Sequence, residues 1–280
     1  MKVVIAGASG LIGSRLLAGL RARGDEAVAL PRFGTAPWNV EGIDGVVNLA
    51  GANVGGKRWS DEYKKELVES RVQPTRALIE AIRKASKKPR VLVNASAIGY
   101  YGDGKDELIT ESSPAGQDFL ATLVVAWEAE AAKSPIRTVM PRTGIVLAPK
   151  GGALEKMVPP FKAFVGGPIG SGKQWFPWIH LQDEVDAILF SLDHQTLQGP
   201  VNFAAPGIVT MKEFSKALGR ALHRPSWAPV PAPVLRVAVG EFAEAILTGQ
   251  RAIPKKLESA GFKFKFPTLD AALQDLFPQS

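Results

Sequence analysis

"KVVIAGASGLIGS", residues 2–14, carries three glycines at a fixed spacing: Gly7, Gly10 and Gly13. A short apolar run precedes them, with the β-branched character of a buried strand. After them the pattern reads as a helix from Gly10 to Arg23. Glycine at such a junction has three uses. It permits a tight turn, lets backbone approach a pyrophosphate, and lets the helix pack closely on the strand. The helix start also presents unpaired amides and a partial positive charge, which suits phosphate oxygens. Together these features predict a dinucleotide-binding unit, with Gly7, Ser9, Gly10, Leu11, Ile12 and Gly13 among its cofactor-binding residues.

Working outward, further strand-like runs are "EAVAL" (26–30), "DGVVNLAG" (44–51), "RVLVNAS" (90–96) and "IRTVMPRTGIVL" (136–147). Helical patterns separate them: Ser60 to Ala85, interrupted at Pro74, and "DFLATLVVAWEAEA" (118–131). Strands alternating with helices predict an α/β fold, a Rossmann-type doubly wound parallel sheet with helices on both faces. From about residue 150 glycine and proline become frequent, as in "PKGGALEKMVPPF" (149–161) and "GGPIGSGKQWFPW" (166–178). Two more helical patterns follow, "TMKEFSKALGRALHR" (210–224) and Val234 to Leu247. The division expected is a cofactor-binding domain over 1–150 and a smaller C-terminal lobe over 151–280. The sheet is expected to recruit parts of 195–210.

The 280-residue chain is 46% hydrophobic and 22% charged, ample for a core, and has no cysteine. That excludes a disulfide framework, a thiolate metal site and a cysteine nucleophile. The net charge of +7 comes from 34 Lys and Arg against 27 Asp and Glu. Runs such as "KKELVESR" and "RKASKKPR" read as solvated helix faces, and no basic stripe interleaved with aromatics marks a nucleic-acid partner. The first apolar run is too short for a signal peptide, and no segment reaches the roughly 20 apolar residues of a membrane span. The expectation is a cytoplasmic protein that meets a small-molecule substrate or effector, with neither nucleic acid nor membrane as partner. Gly167, Gly172 and Lys173 imitate a P-loop, but Gln174 stands where that motif needs Ser or Thr for magnesium.

The second strand ends in "ALPRFG". An acid there would bind the ribose 2′-OH of NAD; this chain has Arg32 instead. Arginine pairs with a 2′-phosphate through charge-assisted bonds, so the cofactor expected is NADP. Leu49, Ala50 and Gly51 end the third strand with small residues over which a cofactor can lie. Arg142, in the "PRTG" that ends the fifth, is expected on the nicotinamide side.

"GASGLIG", "NLAG", "SAIGYYGD", "FLATLVVAWE", "GGPIGSGKQWFPWIH" and "QRAIPKKLESAGFKFKFP" together resemble an atypical extended short-chain dehydrogenase/reductase, of the YfcH-like epimerase branch. The resemblance covers essentially the whole chain. It implies a Rossmann fold, an NADP-type cofactor and a small C-terminal domain. Active members move hydride between nicotinamide and a carbon bearing oxygen. A Tyr, with a Lys four residues on, handles the proton, a Ser holds the oxygen, and an Asn anchors the relay. Carried over, the Ser matches Ser96. The Tyr falls on Leu120 or Phe119, the Lys on Val124, and the Asn on Arg71. The acid–base pair is therefore absent. The candidates that remain are Ser96 and Tyr101, with Tyr101 either catalytic or lining the substrate pocket. Arg71 is expected to bind cofactor phosphate or ribose, or an anionic substrate, with Glu66 sharing the site. Val146 offers its backbone beside the nicotinamide. His180 reads as structural or catalytic, and Trp175, Phe176 and Trp178 as pocket wall or core.

Arg32→Glu is expected to weaken NADPH binding roughly 10- to 100-fold more than NADH binding, the worth of one or two charge-assisted bonds. Fluorescence titration with both cofactors checks this; an unchanged ratio removes Arg32 from the 2′-phosphate.

Overall fold

Val3, Val4, Ile5 and Ala6 are all buried, and so are Val46, Val47, Val91, Leu92 and Val93. Continuous burial of this kind belongs to parallel strands covered on both faces. In the computed structural model, which describes residues 1–278, β1 (Lys2–Ala6), β2 (Glu26–Ala29), β3 (Gly45–Asn48), β4 (Val91–Asn94), β5 (Arg137–Thr143) and β6 (Gly199–Phe203) form one sheet. Its order is β2-β1-β3-β4-β5-β6, and every pairing is parallel. The chain leaves β1 toward β2 and returns to β3 on the other side. The crevice at such a reversal, outside the carboxyl ends of the strands, is where ligands bind in these folds. No helix joins β2 to β3; residues 30–44 cross as an irregular loop.

The helices that flank the sheet are α1 (Leu11–Ala22), α2 (Asp61–Lys84) and α3 (Phe119–Ala131); α4 (Gly152–Lys162) and α5 (Leu181–Asp193) follow. Leu16 and Leu20 of α1 meet Val185 and Ile188 of α5 on one face. Leu78, Ile79 and Ile82 of α2 cover the other, with α3 packed beside α2. α5 thus packs on the sheet and β6 belongs to it, although both lie beyond residue 150. The C-terminal lobe adds α6 (Met211–Ala221), α7 (Ala232–Val239), α8 (Phe242–Leu247), α9 (Lys255–Ser259) and α10 (Leu269–Leu276). It has a core of its own, with Phe161, Trp178, Phe214 and Leu273 at its centre. Among the described residues no helix is long and apolar enough to cross a membrane.

α4 forms where the sequence shows only a glycine- and proline-rich stretch, and three segments read as helix or strand differ from the sequence expectation. α2 runs through Pro74 without a break. Proline removes one helical hydrogen bond, but the stripe Tyr63, Leu67, Arg71, Leu78 and Ile82 is buried along the whole helix, and Thr75 Oγ1 ties back to Arg71 O at 2.8 Å. The fifth strand stops at Thr143. A Cβ on Gly144 would lie 2.5 Å from Pro177 O, so the chain turns there, and Ile145–Leu147 pair with Trp178–His180 instead. The last long helical pattern divides at Gly240, whose φ is +66°, into α7 and α8.

Gly13 sets how closely α1 approaches β1. A Cβ on it would lie 2.3 Å from Gly7 O and 2.8 Å from Ala8 Cα, both backbone. Gly13→Ala is expected to destabilise by about 1–3 kcal/mol, the usual range for overpacking. A urea midpoint equal to wild type overturns this reading of the α1–β1 contact.

Candidate functional site

Gly7 has φ +78° and no room for a side chain, since a Cβ would sit 2.7 Å from Leu49 O. It therefore ties the ends of β1 and β3 together. Gly10 caps α1 with its face open; the nearest atom to a Cβ there would be Gly7 O at 3.4 Å. No side chain caps this helix start, and its first turn holds no acid. The amides of Leu11, Ile12 and Gly13 thus lack both an intrahelical carbonyl and a side-chain substitute. Ser9 and Gly10 are exposed beside them. This concave, donor-rich, uncapped helix start fits a diphosphate.

Arg71 lies against Gly51: a Cβ on that glycine would be 3.2 Å from the arginine side chain. Its guanidinium donates to Leu67 O at 2.9 Å and Ala52 O at 3.0 Å, with the Trp127 ring 5.3 Å away. Burial depresses its pKa to about 10. No carboxylate among the described residues pairs with it. Glu66, expected beside it, is instead exposed and pairs with Lys57 at 3.1 Å. Five residues of helix rotate a side chain by about 140°, off the buried stripe. Beneath this end, Asn48 Nδ2 donates to Asn94 Oδ1 (2.7 Å) and Thr75 Oγ1 (3.0 Å), and Asn48 Oδ1 accepts from Ala50 N at 3.2 Å. That fully buried knot holds the Leu49-Ala50-Gly51 turn. Arg32 is exposed just past β2; its carbonyl caps a turn to Thr35 and its guanidinium pairs with no described residue.

At the other end the candidates form one buried network. Ser96 Oγ donates to Glu128 Oε1 at 2.5 Å. Arg142 grips the same carboxylate with Nε (2.8 Å) and Nη2 (2.7 Å). Its Nη1 donates to the Tyr101 hydroxyl at 2.8 Å, which donates in turn to Asn202 Oδ1 at 2.7 Å. The guanidinium also stacks on Tyr100, 3.4 Å from the ring centroid. Arg142 is 2% exposed, and all three of its nitrogens are engaged. The expected cofactor contact by Arg142 is therefore corrected: it is the hub of an internal ion pair.

Tyr101 is buried, its proton lies on Asn202, and burial pushes its pKa up to about 12. A group held that far above neutrality is a poor proton donor or acceptor, so the catalytic alternative for Tyr101 is set aside. Its position also departs from pocket lining, since it is 5% exposed. Leu120 lies against Gly99, and Val124 packs with Leu67 and Leu123. The positions of the missing acid–base pair are thus apolar in space as well as in sequence.

Glu128 is the residue that sequence reading missed. Its signal was an acid one helical turn past Val124, on a face otherwise of Leu123, Val124 and Trp127. Elsewhere, His180 Nδ1 caps α5 by accepting from Gln182 N at 3.1 Å, which makes it structural. Phe176 and Trp178 fill the lobe core, and only Trp175 of that trio is partly exposed. Val146 is half-buried, paired with Ile179. Glu184 is buried under the end of β5. Its Oε1 accepts from Thr143 Oγ1 at 2.8 Å and its Oε2 has no partner, so desolvation raises its pKa to about 8.

An uncapped helix start at the switch point of a parallel sheet defines a dinucleotide-binding class of protein. The model of the NAD dependent epimerase/dehydratase family matches residues 3–204, and a domain of unknown function (DUF1731) matches 230–276. The chain belongs to the NAD-dependent epimerase/dehydratase family, which confirms the resemblance its motifs carry. It is 44% identical over 290 residues to the epimerase family protein Mb2239 of Mycobacterium bovis, across 97% of this chain and 96% of that one. It is 38% identical to the chloroplastic SDR39U1 homolog of Arabidopsis thaliana, across 98% and 86%. The crystal structure of human epimerase family protein SDR39U1 (isoform 2) with NADPH matches with a TM-score of 0.95 at 35% identity, over 100% of both chains.

Two stability measurements test this geometry. Glu128→Ala leaves the Arg142 charge buried and unpaired, a loss of about 3–5 kcal/mol, whereas Glu128→Leu with Arg142→Met is expected to lose less. Equal losses would contradict the ion-pair reading. Glu184 titrates near 4.5 when unfolded and about 8 when folded. Between those values the folded state holds the extra proton, so stability falls as pH rises, by up to roughly 1.4 kcal/mol per unit. Glu184→Gln removes that slope. Its urea midpoint is expected to gain on wild type from pH 5 to pH 8, and parallel curves would refute the assignment.

Proposed function

We propose that this chain binds NADP(H) and acts as an oxidoreductase-like or epimerase-like member of the short-chain dehydrogenase/reductase class. The observation that carries this reading is the buried Arg71 cation, without an acidic partner among the described residues, beside the open glycine cradle. A cofactor carrying phosphates and ribose hydroxyls supplies what both lack. The NADPH in the related human structure supports the same choice, and the exposed Arg32 supports the phosphorylated form over NAD.

When bound, the cofactor supplies or accepts hydride. This chain's residues do the rest. Gly7, Gly10 and Gly13 admit the diphosphate, and the amides of Leu11, Ile12 and Gly13 hold it. Arg71 anchors the cofactor at the Gly51 turn. Ser96 has its proton committed to Glu128, so it presents lone pairs and accepts a hydrogen bond from a substrate hydroxyl. With Leu120 and Val124 apolar and Tyr101 locked, the proton of turnover comes from substrate or water. The same features favour one alternative, an NADPH-sensing module or scaffold without turnover. The chain's lack of cysteine suits a reducing compartment such as the cytoplasm.

Titration with NADPH and NADH tests the cofactor: tighter NADPH binding, weakened at least tenfold by Arg71→Met, is expected, and equal affinities or no binding refute it. A metabolite screen following NADPH absorbance separates enzyme from sensor. Turnover abolished by Ser96→Ala marks the enzyme; tight binding without turnover marks the sensor.

A further inference from the structure

The turn after α4 carries Phe164 at φ +63°, a left-handed conformation unusual for a bulky side chain. Two amides hold it there: Phe164 N donates to Phe161 O and Val165 N to Pro160 O, both at 2.9 Å. The segment after α6 runs alongside. Trp227 N and Ala228 N both donate to Gly166 O, at 3.0 and 3.1 Å, and the Trp227 indole donates to Phe164 O at 2.9 Å. Despite these ties Trp227 is 67% exposed and Phe164 55%, with Val165 exposed beside them. Single apolar residues scattered over a surface are ordinary; aromatics fixed side by side and turned outward mark a contact face.

Cations border this face. The Arg224 guanidinium lies 4.6 Å from the Phe164 ring centroid. Arg224 also lines a shallow hollow of about 650 Å³, together with Lys216, Gly219, Arg220, His223 and Ser226. The last carbonyls of α6 are already met, since Leu218 O, Gly219 O and Arg220 O accept from the amides of Leu222, Arg224 and His223. The basic side chains are therefore not spent on capping the helix. Arg220 pairs with Asp270 at 2.7 Å. Lys216, Arg224 and Lys162, the last residue of α4, form no ion pair among the described residues. Nor does any of these side chains hydrogen-bond to the glycine cradle, to Arg71 or to the Glu128–Arg142 network.

We propose that this face docks the protein on an anionic membrane surface. Charge selects that occupant. In a two-fold contact with a second copy, the same unpaired cations would face one another. Anionic headgroups answer them instead, through attraction that acts within a Debye length of the surface. Trp227 and Phe164 then enter the interfacial layer, where amphipathic aromatic rings are favoured. The sequence expectation of no membrane partner rested on the lack of a spanning segment; a face that lies on the surface needs none.

The test is cosedimentation of the full chain with vesicles of phosphatidylcholine alone and of phosphatidylcholine and phosphatidylserine in equal amounts. Saturable binding to the anionic vesicles is expected, at least tenfold tighter than to the neutral ones and weakened by added salt. Trp227→Ser, and separately Lys162→Glu combined with Lys216→Glu, should each weaken it tenfold or more. All three side chains are exposed, so urea midpoints close to wild type show that the variants are folded. No binding, equal binding to both vesicles, or equal binding by wild type and both variants overturns the proposal. A dimer in sedimentation equilibrium that Trp227→Ser dissolves assigns the face to a second copy and overturns it as well.

Discussion

The site is organised around one buried ion pair, Glu128 with Arg142. Burying a carboxylate and a guanidinium is expensive unless each lone pair and proton finds a partner. Here Glu128 and Arg142 meet through two bonds, and Ser96, Tyr101 and Tyr100 complete the surroundings. The pair draws together α3, the end of β5, the loop after β4 and, through Asn202, the strand β6. Asn202 N and Lys256 N both donate to Glu111 Oε1, so the C-terminal segment is tied to the same knot. Side chains elsewhere free to do chemistry are committed here to holding the walls of the cleft.

This commitment divides the cleft into two halves of different character. The half over β1 and β3 is built from absences: no Cβ at Gly7 and Gly13, no side-chain cap at Gly10, and no carboxylate among the described residues paired with Arg71. Each absence leaves room or charge for something else to fill. The half over β4 and β5 is already full, with donors and acceptors matched among themselves. The first arrangement is that of a binding site. The second is that of a scaffold, with Ser96 and Tyr101, the two expected catalytic candidates, both tied into it.

The sequence made the first half legible because backbone geometry dictates residue type there. Only glycine fits where a Cβ would meet a carbonyl at 2.3 or 2.7 Å, so the spacing of Gly7 and Gly13 discloses the turn. The parallel strands were equally plain, since burial on both faces leaves continuous apolar runs. Where tertiary packing overrides local preference, the sequence misled. Pro74 reads as a helix break, yet a buried stripe on both sides carries α2 through it. Pro159 and Pro160 hid α4, and Gly144 ended a strand whose apolar pattern continued. Glu128 was hidden for a different reason. Its role depends on Arg142, fourteen residues away, and a pairing across space leaves no period in the chain. Glu66 and Arg71 show the converse: close in sequence, they point to different sides of one helix.

The irregular crossing from β2 to β3 leaves one edge of the sheet open. Without a further strand beyond it, β2 ends the sheet, with one row of amides and carbonyls facing outward. Such an edge is a template for pairing with another chain. The opposite edge, β6, is shielded by α9, and Lys256 Nζ binds the carbonyls of Gln198 and Pro200. β2 is protected differently. It is only four residues long, Glu26 pairs across to Lys2 of β1 at 2.9 Å, and the 30–44 loop folds back on itself through Phe33 and Trp38. Brevity, rather than a covering element, is thus what limits the open edge on this side of the sheet.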